Sequence, residues 1–456
     1  MNNRIGVVIC NYNKKDFVIE CIRTVLNSKL GDESIDIYVV DNASTDGSAD
    51  EIAKVYGDKV ALIVNAENLG GSGGFNTGLR TAMKSDRQYD YLMCVDNDIE
   101  MDENNIHRLL DFLENNPDVG MVGSKILRMQ HPKRLQELGA MIDFDKCTIV
   151  PNYKDYLDDE SIPKVQYCDY VPACSLMVRR EVVEKVGTIP EDNFIYWDDM
   201  EWGYRVNLAG YKVAAISDAF VKHYMGTNSG TTYFSTYYFW RNRLNFFIKF
   251  TPEEKYENMI SVLLENLFKT LYGCYYKGKS NQISVMMHAF DDAVHGKRGK
   301  ASEGVILPKD EVKDRISELL AKSKSVLIDF NGDYKLLQDL IIKAKKTYGY
   351  KETDSFFEQI TIACTDIEEM GRQHPECNLL KCEDSLHAAN EEGCLVLKMC
   401  EHVGKIDDYS LKVIYVDGYS NLLADETDIT HFRNMNYIQD LFIDSQKVLM
   451  RGLTHA

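Results

Sequence analysis

Over the first hundred residues, short apolar runs rich in β-branched side chains alternate with amphipathic segments, and this alternation admits very few folds. The apolar runs lie at 5–10, 35–40, 60–64 and 91–95. The amphipathic segments lie at 16–27, 49–56 and 74–83; in the first, Phe17, Cys21, Ile22, Val25 and Leu26 share one helical face. Strand and helix alternating at this spacing predict parallel strands joined by crossover helices, an α/β fold with a mostly parallel, doubly wound sheet. Ligands of such sheets sit beyond the carboxyl ends of the strands, so the residues that follow each run carry the most information.

Those residues are polar. Asn11-Tyr12-Asn13 follows the first run, and Asp41-Asn42-Ala43-Ser44-Thr45-Asp46-Gly47 the second. Asn65 and then Asn68-Leu69-Gly70-Gly71-Ser72-Gly73-Gly74-Phe75 follow the third, and the fourth ends in Asp96-Asn97-Asp98. Four neighbouring strand ends thus bring acids, amides and a glycine loop to one edge, which predicts a site there.

The 456 residues suggest two or three domains. With 52 basic against 71 acidic residues the formal charge is −19; a polyanion binder needs a basic face, so nucleic acid is not expected as a partner. Bound phosphate is expected to be met by a metal or by backbone amides, not by a basic surface. The start of the chain lacks a secretory pattern, and the best spanning candidate, 260–276, is interrupted by Glu265, Asn266 and Lys269. Twelve scattered cysteines without a disulfide pattern fit a reducing compartment, so a cytoplasmic location is expected, with most cysteines in the core.

The remaining chain divides by pattern. Segment 105–250 holds a helix at 106–115, the aromatic-acidic stretch Tyr196-Trp197-Asp198-Asp199-Met200-Glu201-Trp202, and an aromatic-rich stretch at 233–250. From 252 to 300 the pattern is helical, ending in Lys297-Arg298-Gly299-Lys300. Apolar runs at 326–330, 360–364, 395–397 and 411–416 then alternate with helical segments. The expected organisation is a catalytic domain at 1–250, a helical segment at 251–300 packing on it, and a smaller C-terminal α/β domain at 301–456. That last domain is expected to support assembly or acceptor positioning without supplying a chemical group. Cys377, Cys382, Cys394 and Cys400 with His374 and His402 have spacings unlike those of common structural zinc sites.

Each candidate motif also has a plain structural reading. Asp96 and Asp98, one residue apart at a strand end, can share Mg²⁺ or Mn²⁺, whose shell a diphosphate completes; a bare Asp-x-Asp is also a common loop. Asp41 opens a segment well suited to an Asx turn. No G-x-G-x-x-G follows the first strand, which disfavours a nicotinamide or flavin fold. The glycines at 70–74 let backbone approach a ligand and present helix amides, with the helix expected to begin near Phe75. Asp198, Asp199 and Glu201 suit a helix N-terminus, yet acids beside aromatics can also be desolvated into general bases. His223 alone reads as a structural histidine.

Taken in order, Val8-Ile9-Cys10-Asn11-Tyr12-Asn13, Val39-Val40-Asp41-Asn42-Ala43-Ser44-Thr45-Asp46-Gly47-Ser48, the loop at 68–75, Asp96-Asn97-Asp98 and Trp197-Asp198-Asp199 resemble the family 2 glycosyltransferases. The resemblance covers residues 1 to about 250, and the glycine loop and Trp-Asp-Asp look most like bacterial galactofuranosyltransferases, with rhamnosyltransferases sharing much of the pattern. It implies a GT-A fold and inverting transfer from a nucleotide diphosphate sugar to a glycan acceptor, lipid-linked in such enzymes. It implies Asp199 as catalytic base, and Asp96, Asp98 and His223 as ligands of Mn²⁺ or Mg²⁺. Asn11, Asn13, Asp41, Asn68, Gly70, Gly71, Gly73 and Asn97 would bind the donor; Trp197, Asp198 and Glu201 would shape the acceptor site. The favoured donor is UDP-galactofuranose, with dTDP-rhamnose as alternative; a nucleotidyltransferase or a non-catalytic binding module are more distant readings. Peripheral membrane contact, through the aromatics at 237–240 and the lysines at 277–279 and 297–300, and homo-oligomerisation complete the expectations.

Overall fold

The computed structural model describes residues 4–224, 230–350, 356–382, 393–407, 409–410 and 413–451. Two compact units emerge, the first comprising Met1–Lys154, Asp158–Met259 and Ser284–Pro308, the second Asp155–Leu157, Ile260–Ile283 and Lys309–Ala456.

In the first unit the strands are β1 (Arg4–Asn11), β2 (Ser34–Asp41), β3 (Ala61–Val64), β4 (Tyr91–Asp96), β5 (Ile99–Met101), β6 (Val119–Arg128), β7 (His131–Glu137), β8 (Ala140–Asp143), β9 (Thr148–Pro151), β10 (Val165–Cys168), β11 (Ser175–Arg179) and β12 (Lys212–His223). The main sheet runs β10-β12-β6-β11-β4-β1-β2-β3, with β5 on β12 and β7 on β6. As expected, β1 to β4 are parallel neighbours, in register with Asn11 opposite Asp41 and Cys10 opposite Asp96. The departure from a purely parallel sheet is β11, which lies antiparallel between β4 and β6. Residues Val7, Val8 and Ile9 are fully buried, because crossover helices cover both faces of a parallel sheet.

Those helices are α1 (Lys15–Leu26), α2 (Ser48–Tyr56) and α3 (Gly70–Lys84), followed by α4 (Asn105–Asn115), α5 (Arg180–Val186), α6 (Asp198–Leu208) and α7 (Phe234–Phe250). Helix α3 begins at Gly70, not near Phe75 as expected, so the glycines form its first turns. Packing explains most of them. A Cβ on Gly74 would stand 2.3 Å from Cys10 Sγ, and one on Gly78 2.3 Å from Val8 Cγ1. These glycines let α3 lie directly on β1, a gain that outweighs their helix-propensity cost of about 1 kcal/mol each.

The second unit holds β13 (Ser325–Asp329), β14 (Phe357–Cys364), β15 (Cys377–Lys381), β16 (Cys394–Met399), β17 (Ile414–Val416) and β18 (Leu422–Leu423), ordered β15-β14-β13-β16-β17-β18. All neighbours are parallel except the last pair, giving the expected smaller α/β sheet. Residues 411 and 412 of the expected run at 411–416 lie outside the described residues.

The expected helical segment at 251–300 is divided between the units. Phe268, Tyr272 and Tyr276 pack into the second unit's core with Val396, Tyr415 and Phe432, so Ile260–Ile283 belongs there. Asp292 instead accepts a 2.5 Å hydrogen bond from Tyr237 in the first unit. The aromatics expected to touch a membrane are interior: Tyr237, Tyr238 and Trp240 are buried, and Arg241 lies over the first two rings at 5.3 and 4.9 Å. Lys297 is paired with Asp292. Among the described residues no helix is long and apolar enough to cross a membrane.

Candidate active site

The carboxyl ends of β1, β2 and β4 meet as the parallel register requires, and their polar side chains form one chain of hydrogen bonds. Asn97 Nδ2 donates to Asn11 Oδ1 at 2.7 Å, and Asn11 Nδ2 donates to Asp41 Oδ2 at 3.1 Å. Asp41 Oδ1 accepts from the Ser44 amide at 2.8 Å, the Asx turn that its sequence also suggested. Asn11 and Asp41 are buried. These bonds hold the strand ends together, and neither residue lines the cavity described next. Asn13 is exposed, with φ 51°, and accepts from the Thr45 amide at 2.7 Å, tying the first two loops.

Above this layer lies a cavity of about 520 Å³ lined by Asn68, Gly70, Gly71, Asp96 and Asn97, together with Tyr12 and Asn42, which the sequence reading did not single out as binding residues. Gly73 does not line it; a Cβ there would meet Leu69 Cβ at 2.6 Å. Asn42 organises the rim: its side chain donates to Asn68 Oδ1 and to the Gly70 carbonyl, and accepts from Asn65 Nδ2 and the Leu69 amide. Its signal was its place directly after Asp41. Tyr12 is 45% exposed at the cavity, so its ring offers a face to a planar group.

Asp96, Asp98 and His223 come together. His223 Nε2 lies 3.2 Å from Asp98 Oδ1, while its Nδ1 donates to Gln136 Oε1 at 2.8 Å, which fixes the ring and aims Nε2 at the acids. Lys14 forms an ion pair with the other oxygen of Asp98. Burial alone would raise the Asp98 pKa, but His223 and Lys14 hold it below the usual range; burial and the charge of Asp98 push Asp96 up to about 6. Burial works against charge on His223, and its hydrogen bond to Asp98 together with the charges of Asp98 and Asp96 offset that, leaving its pKa raised. Cys174 Sγ also lies near Asp96 and His223, but burial holds its thiol far above the usual value, and a protonated thiol is a poor ligand. Two carboxylates and one imidazole are a donor set suited to Mg²⁺ or Mn²⁺, with the Lys14 ammonium on one oxygen of Asp98.

The second acidic pair sits on the first turn of α6. Asp198 is buried and accepts from Ser72 Oγ of α3 at 2.8 Å, tying the pair to the cavity helix. Asp199, half-buried, accepts from the amides of Ala173 at 3.3 Å and Met200 at 2.9 Å. Burial, then the charge of Asp198, holds its carboxyl well above the ordinary range. Two neighbours are not what the sequence suggested. Trp197 is fully buried between Phe239, Phe246 and Phe247, with ring centroids 5.3–5.8 Å away, and so anchors the helix instead of facing an acceptor. Glu201 is buried and paired with Arg205 at 2.5 Å and Lys249 at 2.7 Å, which occupy its carboxylate.

The loop before α6 is strained, with Phe194, Tyr196 and Trp197 all at φ between 63° and 68°. Asn242 of α7 holds it by donating from one amide nitrogen to the carbonyls of Asn193, Ile195 and Tyr196 at 2.8–3.0 Å. Asn242→Ala removes that clasp. A cost of about 1–3 kcal/mol is expected for carbonyls left unpaired, read as a lower denaturation midpoint, with turnover falling alongside it. Unchanged values for both would show that the loop holds its own shape.

Residues 6–187 match the model of Glycosyl transferase family 2. This segment is a family 2 glycosyltransferase domain. The mixed sheet with its polar strand ends is accordingly the GT-A arrangement that the order of motifs implied. Over 262 residues the chain is 27% identical to the galactofuranosyltransferase GlfT2 of Mycolicibacterium smegmatis, covering 53% of this chain and 40% of that protein. Over 177 residues it is 28% identical to a poly(ribitol-phosphate) beta-glucosyltransferase of Bacillus spizizenii, covering 33% and 27%. A crystal structure of GalNAc-T7 with UDP, GalNAc and Mn²⁺ aligns at 14% identity and a TM-score of 0.46, covering 57% of this chain and 50% of that one. The chain thus spans less than half the length of the curated relatives named here.

Proposed function

We propose that this protein is a metal-dependent, inverting glycosyltransferase that moves a sugar from a nucleotide diphosphate to a hydroxyl of a growing, lipid-linked cell-surface polysaccharide. The observation that carries this reading is the presence of two acidic groups beside one glycine-lined cavity. Asp96 lines it next to Asp98 and His223, and Asp198, whose charge reaches Asp96, is tied to α3 through Ser72. The family match and the named glycosyltransferase relatives support it.

In this reading Asp96, Asp98 and His223 hold Mn²⁺ or Mg²⁺, which supplies charge neutralisation for the departing diphosphate. Asn68, Gly70, Gly71 and Asn97 line the donor's cavity, and Tyr12 offers its ring to the base. Asn11 and Asp41 position these groups from below. Asp199, held by two amides and partly open, takes the proton of the acceptor hydroxyl as that oxygen displaces the nucleotide in line; a single displacement inverts the sugar and needs one base. Asp198, already committed to Ser72, orients its neighbour. Contact with a membrane surface would use parts of the protein other than the buried aromatics of α7.

Likeness to galactofuranosyltransferases favours UDP-galactofuranose as donor. The test is a side-by-side assay of UDP-galactofuranose and dTDP-rhamnose with a synthetic glycan acceptor and Mn²⁺, read as released nucleotide. A site built around the hydroxyls of one sugar leaves polar groups unpaired against the other, so discrimination of about 10⁴ or more is expected. Turnover with dTDP-rhamnose alone would reverse the donor assignment. Absence of transfer and of hydrolysis across a panel of nucleotide sugars would overturn the transferase reading in favour of a binding module.

A further inference from the structure

A second cavity, of about 830 Å³, lies wholly within the second unit, and its walls are cationic in a chain whose formal charge is −19. Lys277, Lys279, Lys313, Arg315 and Lys343 line it, against Asp314 and Glu318. Pairing removes some of this charge. Arg315 is held by Asp428 at 2.7 Å and Asp425 at 3.1 Å, and Lys343 pairs with Asp314. Lys277, Lys279 and Lys313 have no carboxylate at ion-pair distance among the described residues, and only Glu318 remains on the wall to offset them.

Lys277 is the most telling of the three. It is half-buried, and its ammonium donates to the Tyr419 carbonyl at 2.5 Å. Burial, then the charge of Lys279, brings its pKa down to about 8. Asp417 attracts it, but that carboxylate already accepts from the amides of Val403, Tyr419 and Asn421. A desolvated ammonium without a counter-ion is unfavourable, and an anion entering the cavity would complete it. The aromatic rings of the wall are already covered: Tyr276 by Arg315 at 5.7 Å and His431 at 4.8 Å, Tyr419 by His402 at 5.5 Å. Beyond these contacts the wall contributes cationic charge, which a phosphate needs and a nucleobase does not. Compact lysine charges on flexible stems suit the phosphates of a flexible chain.

We propose that this cavity binds the phosphate groups of a phosphodiester-linked, non-nucleotide chain. This departs from the expectation that phosphate would be met only by a metal or backbone amides. It goes beyond the glycosyltransferase reading and does not rest on it, because none of these residues belongs to the unit that carries the candidate active site.

The test is calorimetric titration of the full chain in EDTA, so that divalent cations cannot recruit phosphate to the acidic strand ends. The probes are a synthetic glycerol phosphate hexamer, a phosphate-free polyol of matched length, inorganic pyrophosphate and UDP. The hexamer is expected to bind, more weakly as salt rises, while the neutral polyol does not bind. The double variant Lys279→Gln/Lys313→Gln should weaken it at least about tenfold, the effect of losing charge-assisted contacts. Absence of hexamer binding, or equal affinity in a folded double variant, would overturn the proposal. So would UDP binding that is tighter than the hexamer and equally sensitive to the two lysines, which would make this a nucleotide site.

Discussion

Asp199→Asn is expected to lower transfer by at least about a hundredfold while leaving donor binding nearly intact, the low end for losing a general base. The structure separates this residue from its neighbour. Asp198 is buried and bonded to Ser72, whereas Asp199 is half-buried and held only by two backbone amides that steady its carboxylate. Asn keeps that shape but cannot take a proton. Burial and the charge of Asp198 raise the Asp199 pKa. A base acts only once deprotonated, so transfer should rise with pH along an acid limb lying above the ordinary aspartate range. The substitution should abolish that limb along with the activity. A variant that turns over near the parent rate, with the limb retained, would move the base to Asp198.

The second large effect is expected at the strand ends. Asp98→Ala and His223→Ala should each weaken Mn²⁺-dependent nucleotide binding by at least about tenfold, since each removes a donor from a small cation shell. Asp98 stands between the His223 ring and the Lys14 ammonium, so its removal leaves both without their partner. Calorimetry with and without Mn²⁺, on variants whose folding has been checked by denaturation, separates loss of metal from loss of structure. Equal, metal-independent binding by the parent and both variants would remove these residues from the cation site. Gln136→Ala offers a gentler check: it frees the His223 ring without touching a ligand, and a smaller loss in metal affinity is expected.

Part of this protein is legible in the residues alone. The alternation of apolar runs and amphipathic segments determined that β1 to β4 are parallel, and the polar residues after each run marked the edge where a site forms. Both are local properties, because burial on two faces selects unbroken β-branched runs and a crossover selects a helical stripe. The acids at Asp96 and Asp98 stood out in the same way, by type and by place, whereas Asp199 was singled out from Asp198 and Glu201 by the family resemblance.

What each polar residue does was decided by tertiary structure. Asn11 and Asp41 face each other because the register of β1 on β2 pairs them, and so they spend their hydrogen bonds on one another. Gln136 orients His223 from 87 positions away, Ser72 holds Asp198 from 126, and Asn242 clasps a loop almost 50 residues before it. Trp197 and Glu201 had the composition of a binding site, yet rings and cations from α7 enclose them. The three lysines of the second cavity come from segments about 35 residues apart, and their charge is unusual only because their neighbours in space leave it unpaired. Periodicity records which way a side chain faces along its own element; its partners are set by how distant elements pack, because hydrogen bonds and desolvation act over a few ångströms whatever the separation along the chain.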